Sequence, residues 1–241
     1  TCRHLKFLGC PGQLEGCLSE YLVMPAECCF RIPDSMSLVQ AALVEPLAIG
    51  VYAVQQSIPM RNAKVGILGA GPIGVSVMLA ARAQGAAAVY VTDPLQYRCA
   101  LAAEHGAAWA GNPTETDVVA DITEMEPEKL DAVFECCGQQ DAFDQALELL
   151  KPGGTLMLVG IPEFDRFSFR AETARRRELC FQNVRRQNGC VQKTIDLVAE
   201  KYIDPDFMVT HEFTLEETGK AFDLVDTYAD GVLKAMISLE K

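Results

Sequence analysis

An α/β fold, built as a doubly wound parallel sheet, is what this 241-residue sequence predicts. Three observations predict it. Strand and helix patterns alternate from about residue 47 to 187, a glycine-rich turn joins the first clear strand to the helix after it, and both flanks lose the alternation. Strands that alternate with helices pair in parallel through right-handed crossovers, so helices cover both faces of the sheet.

The elements follow in order. Residues 64–68 are a short apolar strand, residues 72–84 an alanine- and methionine-rich helix, and residues 88–92 the next strand. A helix over about 95–105, a strand at 107–110, a helix near 117–125 and a strand at 131–136 continue the pattern. A helix at 141–150 is broken by Lys151-Pro152-Gly153-Gly154, which turns the chain into a strand at 155–160, apolar on both faces. A last strand covers about 178–184. The flanks, 1–46 and 188–241, carry strand-like pieces such as residues 20–24 before Pro25, and helices separated by short strands. They are taken as one partial, mostly β lobe split between the two chain ends.

Apolar residues at 49% and charged residues at 22% describe an ordinary folded protein. A formal net charge of −12 repels phosphate backbones and anionic lipid, so the expectation is no nucleic acid and no membrane, and a small-molecule partner instead. No stretch reaches the ~18 consecutive apolar residues of a membrane span, and Thr1-Cys2-Arg3-His4 lacks the layout of a signal peptide. The chain reads as cytoplasmic. Its ten cysteines include the adjacent pairs Cys28-Cys29 and Cys136-Cys137 in apolar surroundings, which points to reduced thiols that pack rather than to a disulfide framework.

The turn Gly69-Ala70-Gly71-Pro72-Ile73-Gly74 carries the first chemical signal. Alone, a G-x-G-x-x-G match is weak. Between a strand and a helix it is the dinucleotide-binding turn of a Rossmann sheet: Gly69 makes the tight turn, Gly71 lets a pyrophosphate approach, and Gly74 allows close helix–strand packing. Pro72, which has no N–H of its own, fits the first helical turn, and the helix amino terminus that begins there offers the Ile73 and following N–H groups and a positive dipole end to phosphate. Asp93 ends the second strand, where a carboxylate accepts hydrogen bonds from the adenosine ribose and favours NAD over NADP. Arg98, close behind it, is a possible cofactor contact that qualifies the preference. The plainer reading of Asp93 is a cap on the next helix.

With these motifs in place the sequence resembles the medium-chain zinc-dependent alcohol dehydrogenases, in the sorbitol (polyol) and threonine dehydrogenase branch. The resemblance runs over nearly the whole chain. It rests on Gly16, Glu20, Tyr21 and Pro25, on Ile32-Pro33-Asp34 and on Ala41-Ala42-Leu43-Val44-Glu45-Pro46-Leu47. It continues through the glycine turn and Asp93 to Glu135-Cys136-Cys137-Gly138, Lys151-Pro152-Gly153-Gly154-Thr155-Leu156 and Val209-Thr210-His211-Glu212-Phe213. It implies a coenzyme domain at 47–187, inserted into a GroES-like catalytic domain made of 1–46 and 188–241. It also implies NAD-dependent oxidation of a secondary alcohol with zinc as Lewis acid, and a homo-oligomer formed through the cofactor domain.

The resemblance places Glu45 near the catalytic zinc, Cys2 among the structural-zinc cysteines and Arg185 near the nicotinamide end of the cofactor. Gly160, closing an apolar strand, is read as letting the nicotinamide ribose approach the backbone, and Cys137 as a candidate cofactor contact whose plainer role is packing. Each has a plainer reading: Glu45 at a helix start before Pro46, Gly160 as a strand-ending turn, Arg185 as one more solvated arginine. The family's other zinc ligands match nothing here; His211-Glu212 comes too late in the chain. The chain, which starts without methionine, therefore reads as lacking about a hundred amino-terminal residues of the family pattern. Two rivals stay open: an NAD-binding module without catalysis, and a zinc-independent quinone or enone reductase.

Overall fold

The computed structural model describes residues 6–239. A six-stranded, wholly parallel sheet forms its centre, with β1 (Lys64–Leu68), β2 (Ala88–Thr92), β3 (Trp109–Gly111), β4 (Leu130–Glu135), β5 (Leu150–Leu158) and β6 (Cys180–Asn183) ordered β3-β2-β1-β4-β5-β6. The order reverses between β1 and β4, so a crevice opens at the carboxyl ends of those two strands. In register, Leu68 of β1 lies between Thr92 of β2 and Glu135 of β4, which brings the chain segments after these three residues to one edge.

The helices are α1 (Leu38–Gln55), α2 (Pro72–Ala83), α3 (Gln96–Glu104), α4 (Val118–Met125), α5 (Gln140–Leu149), α6 (Ala171–Arg176), α7 (Val191–Ala199) and α8 (Thr218–Asp226). α1 starts where Ser37 accepts from the Gln40 amide and Gln40 returns the bond to the Ser37 amide, a reciprocal cap. It crosses residue 47 without interruption, carrying Pro46 in its interior. Proline removes one helical N–H and frees the carbonyl four residues back; that residue, Ala42, is exposed, where water can take the bond. α1 is long and apolar enough to cross a membrane by length and composition, although polar residues interrupt its run. Half of it is buried, and its packing explains the composition: Leu43, Leu47 and Val51 lie in the same core as Val77 and Ala80 of α2 and Ile195 of α7. Gly50 faces Ser76 so closely that a side-chain carbon there would overlap the α2 backbone.

Two expectations are corrected. Residues 20–24 form no strand: Tyr21 and Val23 are exposed, and among the described residues no strand pairs with this segment. The Lys151-Pro152-Gly153-Gly154 run does not precede β5 but lies within it. Leu150 already pairs with Leu130 and the register slips before Ala132 meets Thr155, a bulge eased by Gly153 at φ +75°. Beyond the main sheet, β7 (Val209–Thr214) and β8 (Lys234–Ser238) form a two-stranded parallel sheet.

Candidate cofactor site

Gly69 closes β1 at φ +102°, a conformation that favours glycine, and its amide donates to the Thr92 carbonyl at 2.8 Å. The chain then turns into α2, whose N-cap is Gly71 and whose first residue is Pro72. No side chain caps this helix, so the first-turn amides around Ile73 stay available to an anion, reinforced by the helix dipole. A side-chain carbon on Gly74 would overlap the Gly69 carbonyl oxygen, so only glycine lets α2 start this close to β1. Gly71, Pro72 and Ile73 are half-buried at the crevice mouth.

Asp93 is buried, 3% exposed, and its carboxylate ties the turn together. One oxygen accepts the Ala70 amide at 2.8 Å and the other the Leu95 amide at 2.9 Å. The sequence suggested a ribose acceptor with helix capping as the plainer role. Asp93 makes the local tie to Leu95 but also reaches back to hold the glycine turn. A carboxylate has about four acceptor positions, so two amides leave capacity for a ribose hydroxyl. An Arg98 guanidinium nitrogen stands 3.7 Å from the same carboxylate.

Across the crevice, Glu135 ends β4 fully buried. One of its oxygens accepts the Cys137 amide at 2.9 Å, the Gly138 amide at 2.5 Å and the Cys137 thiol at 3.1 Å; the other is buried without a partner among the described residues. Gly160 packs against this loop so closely that a side-chain carbon there would overlap the Gly138 nitrogen and stand 2.7 Å from the free oxygen. Cys137 shows its outer edge to solvent, yet burial of its sulfur, then the adjacent Glu135 carboxylate, push its thiol up to about 12. Burial likewise raises Cys136 well above the ordinary thiol value, and every described cysteine is a free thiol. Neither cysteine is set up as a nucleophile, since the reactive species is the thiolate. Sequence reasoning passed over Glu135 as part of a motif; an acidic residue ending an otherwise apolar strand was the available signal.

The remaining candidates are less well gathered. Arg185 is exposed after β6, 6.0 Å from the Phe7 ring, while Arg186 lies closer to that ring at 3.9 Å. Glu45 is exposed on α1, beyond its first two turns, which corrects the reading that put it at a helix start before Pro46. Cys2 lies outside the described residues. Among the described residues no group of three or more His, Cys, Asp or Glu side chains converges on a point where a metal could sit. Zinc needs at least three protein ligands, so the described residues do not fit it.

A family model described as "Zinc-binding dehydrogenase" matches residues 72–200, from the first turn of α2 to the end of α7. This chain belongs to the zinc-binding dehydrogenases. Sorbitol dehydrogenase of Mus musculus is 31% identical over 230 residues, covering 94% of this chain and 63% of the relative. Sorbitol dehydrogenase of Bacillus subtilis (strain 168) is 29% identical over 237 residues, covering 98% and 67%. A solved structure described as a zinc-binding dehydrogenase from Sinorhizobium meliloti 1021 bound to NADP superposes with a TM-score of 0.90 at 30% identity, covering 98% of this chain and 70% of that one. The chain thus spans about two thirds of the length of the relatives it matches. Within the zinc-binding dehydrogenases it falls in the sorbitol dehydrogenase-like branch, a family of oxidoreductases that use a nicotinamide cofactor.

Proposed function

We propose that this chain holds a nicotinamide dinucleotide, NAD in preference to NADP, across the carboxyl ends of β1, β4 and β5. The protein it represents is a dehydrogenase of a secondary alcohol, a polyol or related hydroxyl compound. The observation that carries the reading is the uncapped start of α2, pressed onto Gly69 through Gly74 and tied by Asp93 to the Ala70 amide. That arrangement supplies N–H donors and a positive dipole end where a pyrophosphate would lie. Asp93 then stands beside the adenosine ribose, and Cys137, Gly138 and Gly160 border the nicotinamide half. Arg185 is assigned to the same end on the resemblance alone.

A nicotinamide held there would supply the acceptor for the hydride of a carbinol C–H, the hydroxyl proton leaving to solvent, so that alcohol and oxidised cofactor would give ketone and reduced cofactor. The names of the relatives support a polyol substrate. Zinc in such enzymes acts as a Lewis acid on the alcohol oxygen; the described residues provide no ligand set for it, so the part assigned to this chain is binding and orienting the cofactor. That same lack favours a second reading, an NAD-binding module without turnover. The exposed edge at Cys180, Gln182 and Asn183 of β6 supports assembly with a second copy through the cofactor sheet.

Calorimetric titration with NAD, NADP and ADP-ribose tests the cofactor reading. NAD and ADP-ribose bind and NADP binds more weakly; no heat from any of the three overturns it. Reduction of NAD on adding a polyol separates the dehydrogenase from the binding module.

A further inference from the structure

Two consecutive residues of α3 are gripped by one late stretch of chain. The Tyr97 hydroxyl donates to the Val232 carbonyl at 2.9 Å, and the Tyr228 ring lies over the Arg98 guanidinium, 5.1 Å from carbon to centroid. The late stretch reaches α3 through two left-handed residues, Tyr228 at φ 51° and Asp230 at φ 50°. For a tyrosine this is an uncommon conformation, held only where surrounding contacts impose it.

What Tyr228 holds is unusual as well. The Arg98 side chain is only 12% exposed, and its Nε is buried with no hydrogen-bond partner among the described residues. Its nearest guanidinium nitrogen, at 3.7 Å, is beyond hydrogen-bond distance of Asp93. The same nitrogen stands 3.6 Å from the point where a side chain on Gly71 would begin. A cation with unspent donors therefore lies across the mouth of the glycine turn. Buried donors left unmade are costly and call for an explanation, and a ligand oxygen supplies one.

We propose that Tyr228 is a positioning residue of the cofactor site. Its ring keeps the Arg98 guanidinium over Gly71, so that the arginine donors meet the oxygens on the adenosine side of the dinucleotide. The proposal rests on the cofactor reading above and adds to it a residue from outside the Rossmann sheet. Cation–π attraction supplies the hold, and the side chain's low exposure strengthens it relative to open solvent.

The test is calorimetric titration of ADP-ribose, which carries the adenosine side and the pyrophosphate and lacks the nicotinamide ring, into the wild type, R98Q, Y228F, Y228N and R98Q/Y228N. Asparagine accepts the left-handed backbone without a ring, so Y228N separates the ring from the turn. R98Q should weaken binding roughly tenfold, Y228N roughly two- to fivefold, and Y228F should match the wild type. R98Q/Y228N should bind no worse than R98Q, because the ring acts only through the arginine. Equal loss from Y228N in both backgrounds, or a lowered melting temperature with unchanged ADP-ribose affinity, overturns the proposal while leaving the cofactor reading intact. A wild type that binds no ADP-ribose overturns both.

Discussion

Gly74 and the Gly69 carbonyl oxygen meet through bare backbone, leaving no room for a side-chain carbon between α2 and β1. Gly74→Ala should push the helix start away from the strand, at a cost of about 1–3 kcal/mol of stability, typical of inserting a methyl group into a packed contact. Loss of cofactor affinity should exceed what that destabilisation explains, since the displaced amides are the ones that face phosphate. Melting temperature and NADH fluorescence measured on the same variant check this. A stable G74A protein with wild-type affinity would contradict the packing argument.

Asp93 serves structure and selectivity together, so Asp93→Ser should have two separable effects. One amide, at Ala70 or Leu95, loses its acceptor, costing about 1–3 kcal/mol. The ratio of NADP to NAD affinity should rise roughly tenfold, because a 2′-phosphate no longer faces a carboxylate and Arg98 remains beside it. Titration of both cofactors into the folded variant reads the second effect, and an unchanged ratio sinks the assignment of Asp93 to the ribose.

At the opposite end of the sheet, Glu126 takes the Tyr90 hydroxyl at 2.5 Å and pairs with Lys64. Burial and this hydrogen bond push Tyr90 up to about 12, so the folded state favours the neutral phenol. That stability is present below about pH 10 and disappears as pH rises through about 12. Burial opposes charge on Glu126, but hydrogen bonds from Lys64 and Tyr90 outweigh it and hold the group below its ordinary value; Asp131, bonded to Lys151 and the Lys64 amide, behaves alike. Their contribution is present above the ordinary carboxylate range and lost as pH falls through the lowered values. Melting temperature against pH should therefore drop at both extremes, with Tyr90→Phe flattening the alkaline limb; an unchanged alkaline limb would contradict the coupling.

Cys137 should alkylate slowly at pH 8 although its residue is exposed, because burial of the sulfur and then the Glu135 carboxylate keep its thiol protonated. Iodoacetamide labelling followed by mass spectrometry should rank it far below exposed Cys180, and Glu135→Gln should speed it. Fast labelling in the wild type would remove Glu135 as the group that holds the thiol.

The glycine turn was legible because three glycines, a strand before and a helix after encode one local geometry. The six sheet strands were legible through short apolar runs between helices. Other features depend on tertiary contacts that single-residue patterns do not carry. Pro46 looked like a helix start, but the reciprocal cap at Ser37 and burial against α2 keep the helix running through it. Residues 20–24 have strand-forming side chains, but among the described residues no strand pairs with them. The tie from Asp93 to Ala70, the anchoring of the Cys137 loop by Glu135 and the reach of Tyr228 to Arg98 join residues distant in sequence or masked by a familiar motif.

A crystal structure of this chain with NAD tests the central claim most directly. The account predicts the pyrophosphate against the amides of Gly71 and Ile73, the adenosine ribose beside Asp93, and the nicotinamide in the crevice bordered by Cys137 and Gly160. A dinucleotide bound elsewhere, or no bound cofactor at saturating NAD, would contradict it.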